Sequence, residues 1–253
     1  MAKLFCISDV HGYYDEMRKA LDEAGFDSNN ENHWLVSLGD NLDRGRQPHR
    51  VIYYLWDLPR KILVKGNHEQ LLMDCIERAY PYDVDWSNGT AQTIIDLDPF
   101  VDTFKEACMA VQWMVSKFIG NMVNYFETKN YIFVHSFVPL KCDSTLPPHY
   151  LRSKNYTKME NWREAHALEW EDAKWGNPYE FAAKGLLPDK TLVFGHWHTS
   201  WPRHEYESKP EWGADADFSP YFGEGYIGID ACTAHSGKVN CLVLEDEFIT
   251  IQN

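Results

Sequence analysis

Positive charge is scarce in this sequence: 24 lysines and arginines stand against 38 aspartates and glutamates, a net charge of −14 over 253 residues. Nucleic-acid backbones and anionic lipid are gripped mainly through clustered lysine and arginine, so this balance speaks against both as partners. Bound divalent cations would offset part of it. Long apolar runs are missing as well. No stretch reaches the roughly 18 apolar residues of a membrane span. The opening Met-Ala-Lys-Leu-Phe-Cys-Ile-Ser-Asp reaches an acid by Asp9, before the roughly 7–15 apolar residues of a secretory signal. Cysteine is sparse and dispersed: Cys6, Cys75, Cys108, Cys142, Cys232 and Cys241 contain no CxxC pair. That excludes a disulfide framework and a thiolate metal cluster. The expectation is a reduced, soluble, cytoplasmic chain. Its composition, 44% apolar and 25% charged, is ordinary for a globular protein and excludes a disordered or fibrous one.

Five short apolar runs read as buried strands: Leu4–Ile7, Trp34–Leu38, Lys61–Val64, Tyr131–Val134 and Thr191–Phe194. Helical spacing follows the first two. Met17, Ala20, Leu21 and Ala24 mark a helix over Asp15–Ala24, and Pro48 opens another that carries Val51, Ile52 and Leu55 to Trp56. Such alternation predicts βαβ units and a mostly parallel sheet. Residues 76–128 then look mainly helical, with apolar residues near helical spacing over Asp102–Phe118. Residues 139–190 read as a second inserted helical element. The tail alternates as strands at Tyr226–Ile229, Val239–Leu244 and Phe248–Ile251, with Ser236-Gly237-Lys238 as a hairpin turn between the first two. The expectation is one domain over residues 1–253 with insertions near 76–128 and 139–190. Six of the ten tryptophans fall in residues 162–212; core packing of the insertion is the ordinary reading, a substrate-facing wall the sharper one.

Each of the five runs ends in residues suited to metal binding or acid–base chemistry. They are Asp9-Val10-His11, then Gly39-Asp40-Asn41-Leu42-Asp43-Arg44-Gly45, then Gly66-Asn67-His68-Glu69, then His135, then Gly195-His196-Trp197-His198. Alone, each has a bland explanation as a turn, a helix cap or a core histidine. Together they converge, because the C-terminal ends of parallel strands share one edge of a sheet, where ligands bind.

This ordered set resembles the metallophosphoesterase (calcineurin-like) superfamily. The Gly39-Asp40-x-x-Asp43-Arg44-Gly45 form is similar to its serine/threonine phosphatase branch, which includes bacterial and phage phosphatases and symmetrical diadenosine tetraphosphatases. The resemblance implies an α/β fold, a four-layer α/β/β/α sandwich with helical insertions. It implies two divalent transition-metal ions bridged by Asp40. One would take Asp9, His11, Asp40 and His198, the other Asp40, Asn67, His135 and His196. Imidazole, carboxylate and amide donors without thiolate suit manganese first, with iron and zinc as further fits. His68 would be the general acid, oriented by Asp43, and Arg44 and Asn67 would hold phosphate. Arg163, Arg152 and Lys174 are each open as a second phosphate-gripping cation. The function so implied is hydrolysis of phosphomonoesters, from a phosphoprotein or a nucleotide, by water activated between two metals. The rivals are a symmetrical dinucleoside-tetraphosphate hydrolase and an inactive binding module on the same fold.

Overall fold

The computed structural model describes residues 2–142 and 155–247. The chain opens with strand β1 (Ala2–Ile7), helix α1 (Tyr14–Glu23), β2 (His33–Ser37), α2 (Pro48–Asp57) and β3 (Lys61–Leu63). These strands run parallel, β1 beside β2 and β2 beside β3, the arrangement expected of βαβ units. Helices α3 (Asn67–Arg78), α4 (Asp83–Ser87), α5 (Thr90–Leu97) and α6 (Phe104–Gly120) follow, then β4 (Tyr125–Glu127) and β5 (Tyr131–Val134). A ribbon of β6 (Leu140–Cys142) and β7 (Tyr156–Lys158) leads to α7 (Ala167–Ala173), α8 (Pro178–Ala183) and β8 (Thr191–Phe194). The described chain closes with α9 (Ser200–Glu207), β9 (Tyr221–Gly223), β10 (Tyr226–Gly228), α10 (Thr233–Ser236) and β11 (Leu242–Asp246). No helix among the described residues is long and apolar enough to cross a membrane.

Two mixed sheets result, ordered β11-β1-β2-β3 and β4-β5-β8-β10-β9. The two-residue period of a strand decides how they stack. Leu4, Cys6, Val36 and Ile62 of the first sheet meet Phe133, Val193 and Ile227 of the second in one buried cluster. The alternate residues Phe5, Ile7, Leu35 and Leu63 face α1, α2, α3 and α6. Ile132, Val134, Leu192 and Phe194 face α7 and α8 with Trp162 and Trp170. The layers are therefore helix, sheet, sheet, helix. Both faces of each sheet are covered, which is why the strands read as near-continuous apolar runs rather than as alternation.

The tail departs from expectation. Thr233–Ser236 winds into a helical turn, ended by Gly237 in the left-handed region (φ 64°), so Ser236-Gly237-Lys238 is a helix end and no hairpin. The strands on either side belong to different sheets: β10 pairs with β8 and β9, whereas β11 pairs antiparallel with β1. The cause is local. Thr233 Oγ1 donates to the Asp9 carbonyl at 2.7 Å, which draws the segment across the top of β1. The 139–190 region is part ribbon rather than wholly helical, and 76–128 ends in β4. The strand expected at Phe248–Ile251 lies outside the described residues.

One buried carboxylate ties the sheets at the end remote from the strand-end loops. Asp246 Oδ2 accepts from Thr128 Oγ1 at 2.7 Å and Asn130 N at 2.8 Å, and Oδ1 accepts from Asn130 Nδ2 at 2.8 Å. Burial works to raise its pKa, yet these donors hold it below the ordinary carboxylate value. A folded-state value below the unfolded one contributes stability above the ordinary range and loses it as pH falls through the lowered value. Asp246→Ala should cost about 1–3 kcal/mol in urea unfolding at pH 7. The gap from wild type should narrow in acid, below the ordinary carboxylate range.

Candidate metal centre

The strand ends do converge. Asp9 and His11 follow β1, Asp40 to Arg44 follow β2, Asn67 and His68 open α3 after β3, His135 follows β5, and His196 follows β8. Reaching one point requires sharp bends at each end. Nine non-glycine residues among those described have positive φ, and six of them are Asp9, His11, Asp40, Asp43, Arg44 and His196. Left-handed backbone at non-glycine positions is costly and persists where the surroundings enforce it, commonly at functional sites. Glycine serves where no Cβ fits. A Cβ on Gly66 would collide with Asp40 Oδ1, and one on Gly195 with Ser8 Oγ and Asp9 Oδ2.

Asp40 is the hub. Its Oδ1 lies 3.4 Å from His135 Nε2 and accepts the His68 N–H at 2.9 Å. Its Oδ2 lies 3.8 Å from His11 Nε2 and 3.9 Å from His68 Nε2. Two groups able to hold a cation share this one carboxylate, His11–Asp40–His68 and Asp40–His135–His196. Burial alone would push the carboxyl's pKa up, but the imidazoles of His135, His68, His11 and His196 hold it well below the usual range. The same packing makes His11 and His196 neutral. Burial lowers both, reinforced at His11 by His68 and Arg44, and His196 falls to about 3 with His135 beside it. An ionised carboxylate and unprotonated imidazoles need shed no proton to take a metal.

Tautomer geometry shows what the second group is built to hold. His135 Nδ1 donates to the Leu38 carbonyl at 2.7 Å, which turns Nε2 toward Asn67 Oδ1, 2.8 Å away. His196 Nδ1 meets the same oxygen at 3.1 Å. Two ring nitrogens and the Asn67 amide oxygen thus gather beside the Asp40 carboxylate, a donor set that could hold a cation. His11 repeats the pattern, its Nδ1 bonded to Leu42 O at 3.0 Å and its Nε2 turned inward. The donor set fits divalent metal.

Two expected ligands are turned elsewhere. Asp9 Oδ2 accepts the His196 N–H at 2.9 Å and the Ser8 hydroxyl. Burial, then Asp230 and Asp40, push its pKa well up. His198 is in neither group. Its Nδ1 meets Ser200 Oγ at 2.9 Å where α9 begins, and its Nε2 faces Glu211 at 3.4 Å.

The expected acid and its orienter are in contact: His68 Nδ1 lies 2.8 Å from Asp43 Oδ2. Burial would lower the imidazole, but Asp40 and Asp43 raise it above its ordinary value, favouring the cation. Arg44 spans the mouth, Nη1 at 2.6 Å from His11 Nε2 and Nη2 at 3.1 Å from His68 Nε2. Among the weighed second cations, Arg152 lies outside the described residues. Arg163 pairs with Glu127 at 2.8 Å and Asp189 at 3.0 Å, at the opposite end of the sheet. Lys174 is buried beside the site and makes no ion pair among the described residues. Burial, with Lys65 nearby, lowers its pKa to about 8.

Sequence reasoning assigns no individual role to three contributors. Glu69 accepts from Asp40 N and Asn41 N, both at 2.9 Å, and from Gly66 N at 2.8 Å, so it sets the turn that carries the hub. An acid three residues into a helix is a capping signature that could have marked it. Thr90 Oγ1 donates to Asp43 Oδ2 at 2.6 Å, for which the sequence holds no signal. Asp230, buried at the end of β10, has its pKa raised to about 7 by burial, against the pull of the Cys232 N–H. It repeats the pattern of an acid closing an apolar run. Glu69→Ala leaves the ligands intact yet unpairs three amides, and should weaken metal binding roughly 10- to 100-fold in a competition titration.

The calcineurin-like phosphoesterase family profile matches residues 2–212. A symmetrical bis(5'-nucleosyl)-tetraphosphatase of Proteus mirabilis is 37% identical over 70 residues, 27% of this chain and 25% of that protein. Serine/threonine-protein phosphatase 2 of Salmonella typhimurium is 32% identical over 74 residues, 29% of this chain and 33% of that protein. The matched stretch thus spans about a quarter to a third of these relatives. Among solved structures, a cold-active protein-tyrosine phosphatase of a psychrophilic Shewanella superposes with a TM-score of 0.56 at 16% identity, covering 97% of this chain and 76% of that one. That last likeness is one of fold.

Proposed function

Since this chain belongs to the calcineurin-like phosphoesterase family, we propose that it hydrolyses phosphomonoesters with the help of two divalent transition-metal ions. One observation carries the reading: a single buried carboxylate, Asp40, is shared by two donor groups, one of which includes His68 with Arg44 beside it. Asp40, Asn67, His135 and His196 would hold one ion. His11 and Asp40, with Asp9 adjacent, would hold the other. We assign manganese, since the donors combine imidazole, carboxylate and amide oxygen without thiolate. Bound there, the ions supply positive charge for the ester oxygens and acidify water.

The chain's own groups do the rest. Arg44, exposed at the mouth, offers its planar fork to two phosphate oxygens, and Asn67 lies within reach of the same group. Asp40 and Asp43 raise the pKa of His68, which favours the protonated ring, so once phosphate engages Arg44 its Nε2 would deliver a proton to the departing oxygen while Nδ1 stays on Asp43. A phosphoprotein or a nucleotide would serve as substrate. The acidic balance argues against nucleic acid, and the six cysteines, none of them in a disulfide among the described residues, fit the reducing cytoplasm. The Proteus relative's name favours a second reading, cleavage of a dinucleoside tetraphosphate. Comparing kcat/KM for a phosphothreonine peptide, p-nitrophenyl phosphate, bis-p-nitrophenyl phosphate and diadenosine tetraphosphate separates the two. A tenfold preference for the diester would remove the phosphomonoesterase reading.

Protein purified without chelator should contain up to two transition-metal ions by elemental analysis. It should lose activity to chelator and regain it with manganese, and Asp40→Asn should be the most damaging ligand change. His68→Asn should keep metal content near normal while lowering kcat roughly 10²- to 10⁴-fold. The loss should be smaller for p-nitrophenyl phosphate, whose leaving group needs little protonation. Equal losses on alkyl and aryl esters would show that His68 acts some other way.

A further inference from the structure

An aromatic cluster lies beside the segment that carries His196 and His198. Residues 208–220 form no helix or strand, yet they are fastened at several points. Buried Arg203 of α9 donates Nη1 to Ser219 O at 3.0 Å and Nη2 to Pro220 O at 3.1 Å, and its Nε pairs with Asp217 at 3.0 Å. Asn240 Nδ2 donates to Phe218 O at 2.7 Å. This bracing presents Trp212, which is 48% exposed. Its ring lies 4.5 Å from that of His198, 5.0 Å from His235 and 6.3 Å from Phe218. Trp162 and Trp170 are core residues, as the ordinary reading of the tryptophan-rich stretch has it, but Trp212 belongs to no buried cluster. A large ring held half in water by a braced loop is a preorganised contact surface.

Its position relative to the metal centre is defined through its neighbours. His198 is two residues beyond His196. His235 N donates to Cys232 O at 2.8 Å. Thr233, between them, is bonded to the Asp9 carbonyl. Trp212 therefore neighbours His198 and His235, each two residues from a residue at the metal centre, His196 and Thr233 respectively.

We propose that Trp212, with His198, Phe218 and His235, is a stacking site for the nucleobase of a nucleotide substrate. The proposal rests on the phosphoesterase reading of the metal centre and narrows its substrate class. The test measures binding by calorimetry with methylene phosphonate analogues of AMP and of ribose 5-phosphate, whose P–C bonds are not hydrolysed, and with benzylphosphonate in the role of an aryl ester. The adenosine analogue should bind roughly 5- to 100-fold more tightly than the ribose analogue, the usual worth of base–aromatic stacking. That ratio should fall toward one in Trp212→Ala and return in Trp212→Phe, which shows that the loss is of the ring and not of the fold. A ratio near one in the wild type, or a ratio unchanged in Trp212→Ala, overturns the proposal. So does a larger loss for benzylphosphonate than for the adenosine analogue. Hydrolysis of p-nitrophenyl phosphate tests the parent reading separately: its absence with manganese removes the phosphomonoesterase reading, while the binding ratio still decides the stacking site.

Discussion

A carboxylate inside a protein must be matched by positive or polarisable partners, or it takes up a proton. Asp40 meets this demand with four imidazoles, drawn from segments that follow β1, β3, β5 and β8. Much of the local architecture follows from that requirement. Strands of both sheets must deliver a ring to one point, so the chain turns abruptly where each strand ends. The turns use left-handed backbone at residues that would ordinarily avoid it, glycine where a Cβ would strike a carboxylate, and Glu69 to gather the amides that the turns leave free.

The inserted helices take part in this arrangement. Gly89 (φ 83°) lets α5 begin against the backbone of Arg44, where a Cβ would not fit. The next residue, Thr90, is the one bonded to Asp43. A segment of no evident chemistry in sequence thus fixes the rotamer of the group that orients His68. The arrangement stays precise because α5 packs on α3 and α6 as part of the outer core.

What the sequence makes legible follows physical lines. Tyr131–Val134 and Thr191–Phe194 stand in the structure with the bounds their apolar runs suggest, because central strands buried on both faces leave no doubt about where burial stops. Five polar clusters at run ends foretell a shared edge, since parallel strands admit little else. The direction a side chain takes from that edge is another matter. His196 and His198 are indistinguishable as letters, and they part because Ser200 and Glu211 claim the second ring. Glu211 sits in a segment without regular structure, where no periodicity announces proximity. The tail was misread for a related reason: Gly237 can end a helix as readily as it turns a hairpin, and only the long-range bond from Thr233 to Asp9 decides between them.

The hub's partners come from both layers: His11 and His68 belong with the sheet of β1 to β3, while His135 and His196 belong with that of β5 and β8. Any ion seated between them is therefore a rivet through the sandwich as well as a reagent. Its binding energy adds to the cohesion of the two halves by mass action, in proportion to the logarithm of its free concentration over its dissociation constant. The durability of the folded chain then tracks the supply of metal in its surroundings, so starvation for the ion would loosen the scaffold at the same time as it silenced the chemistry.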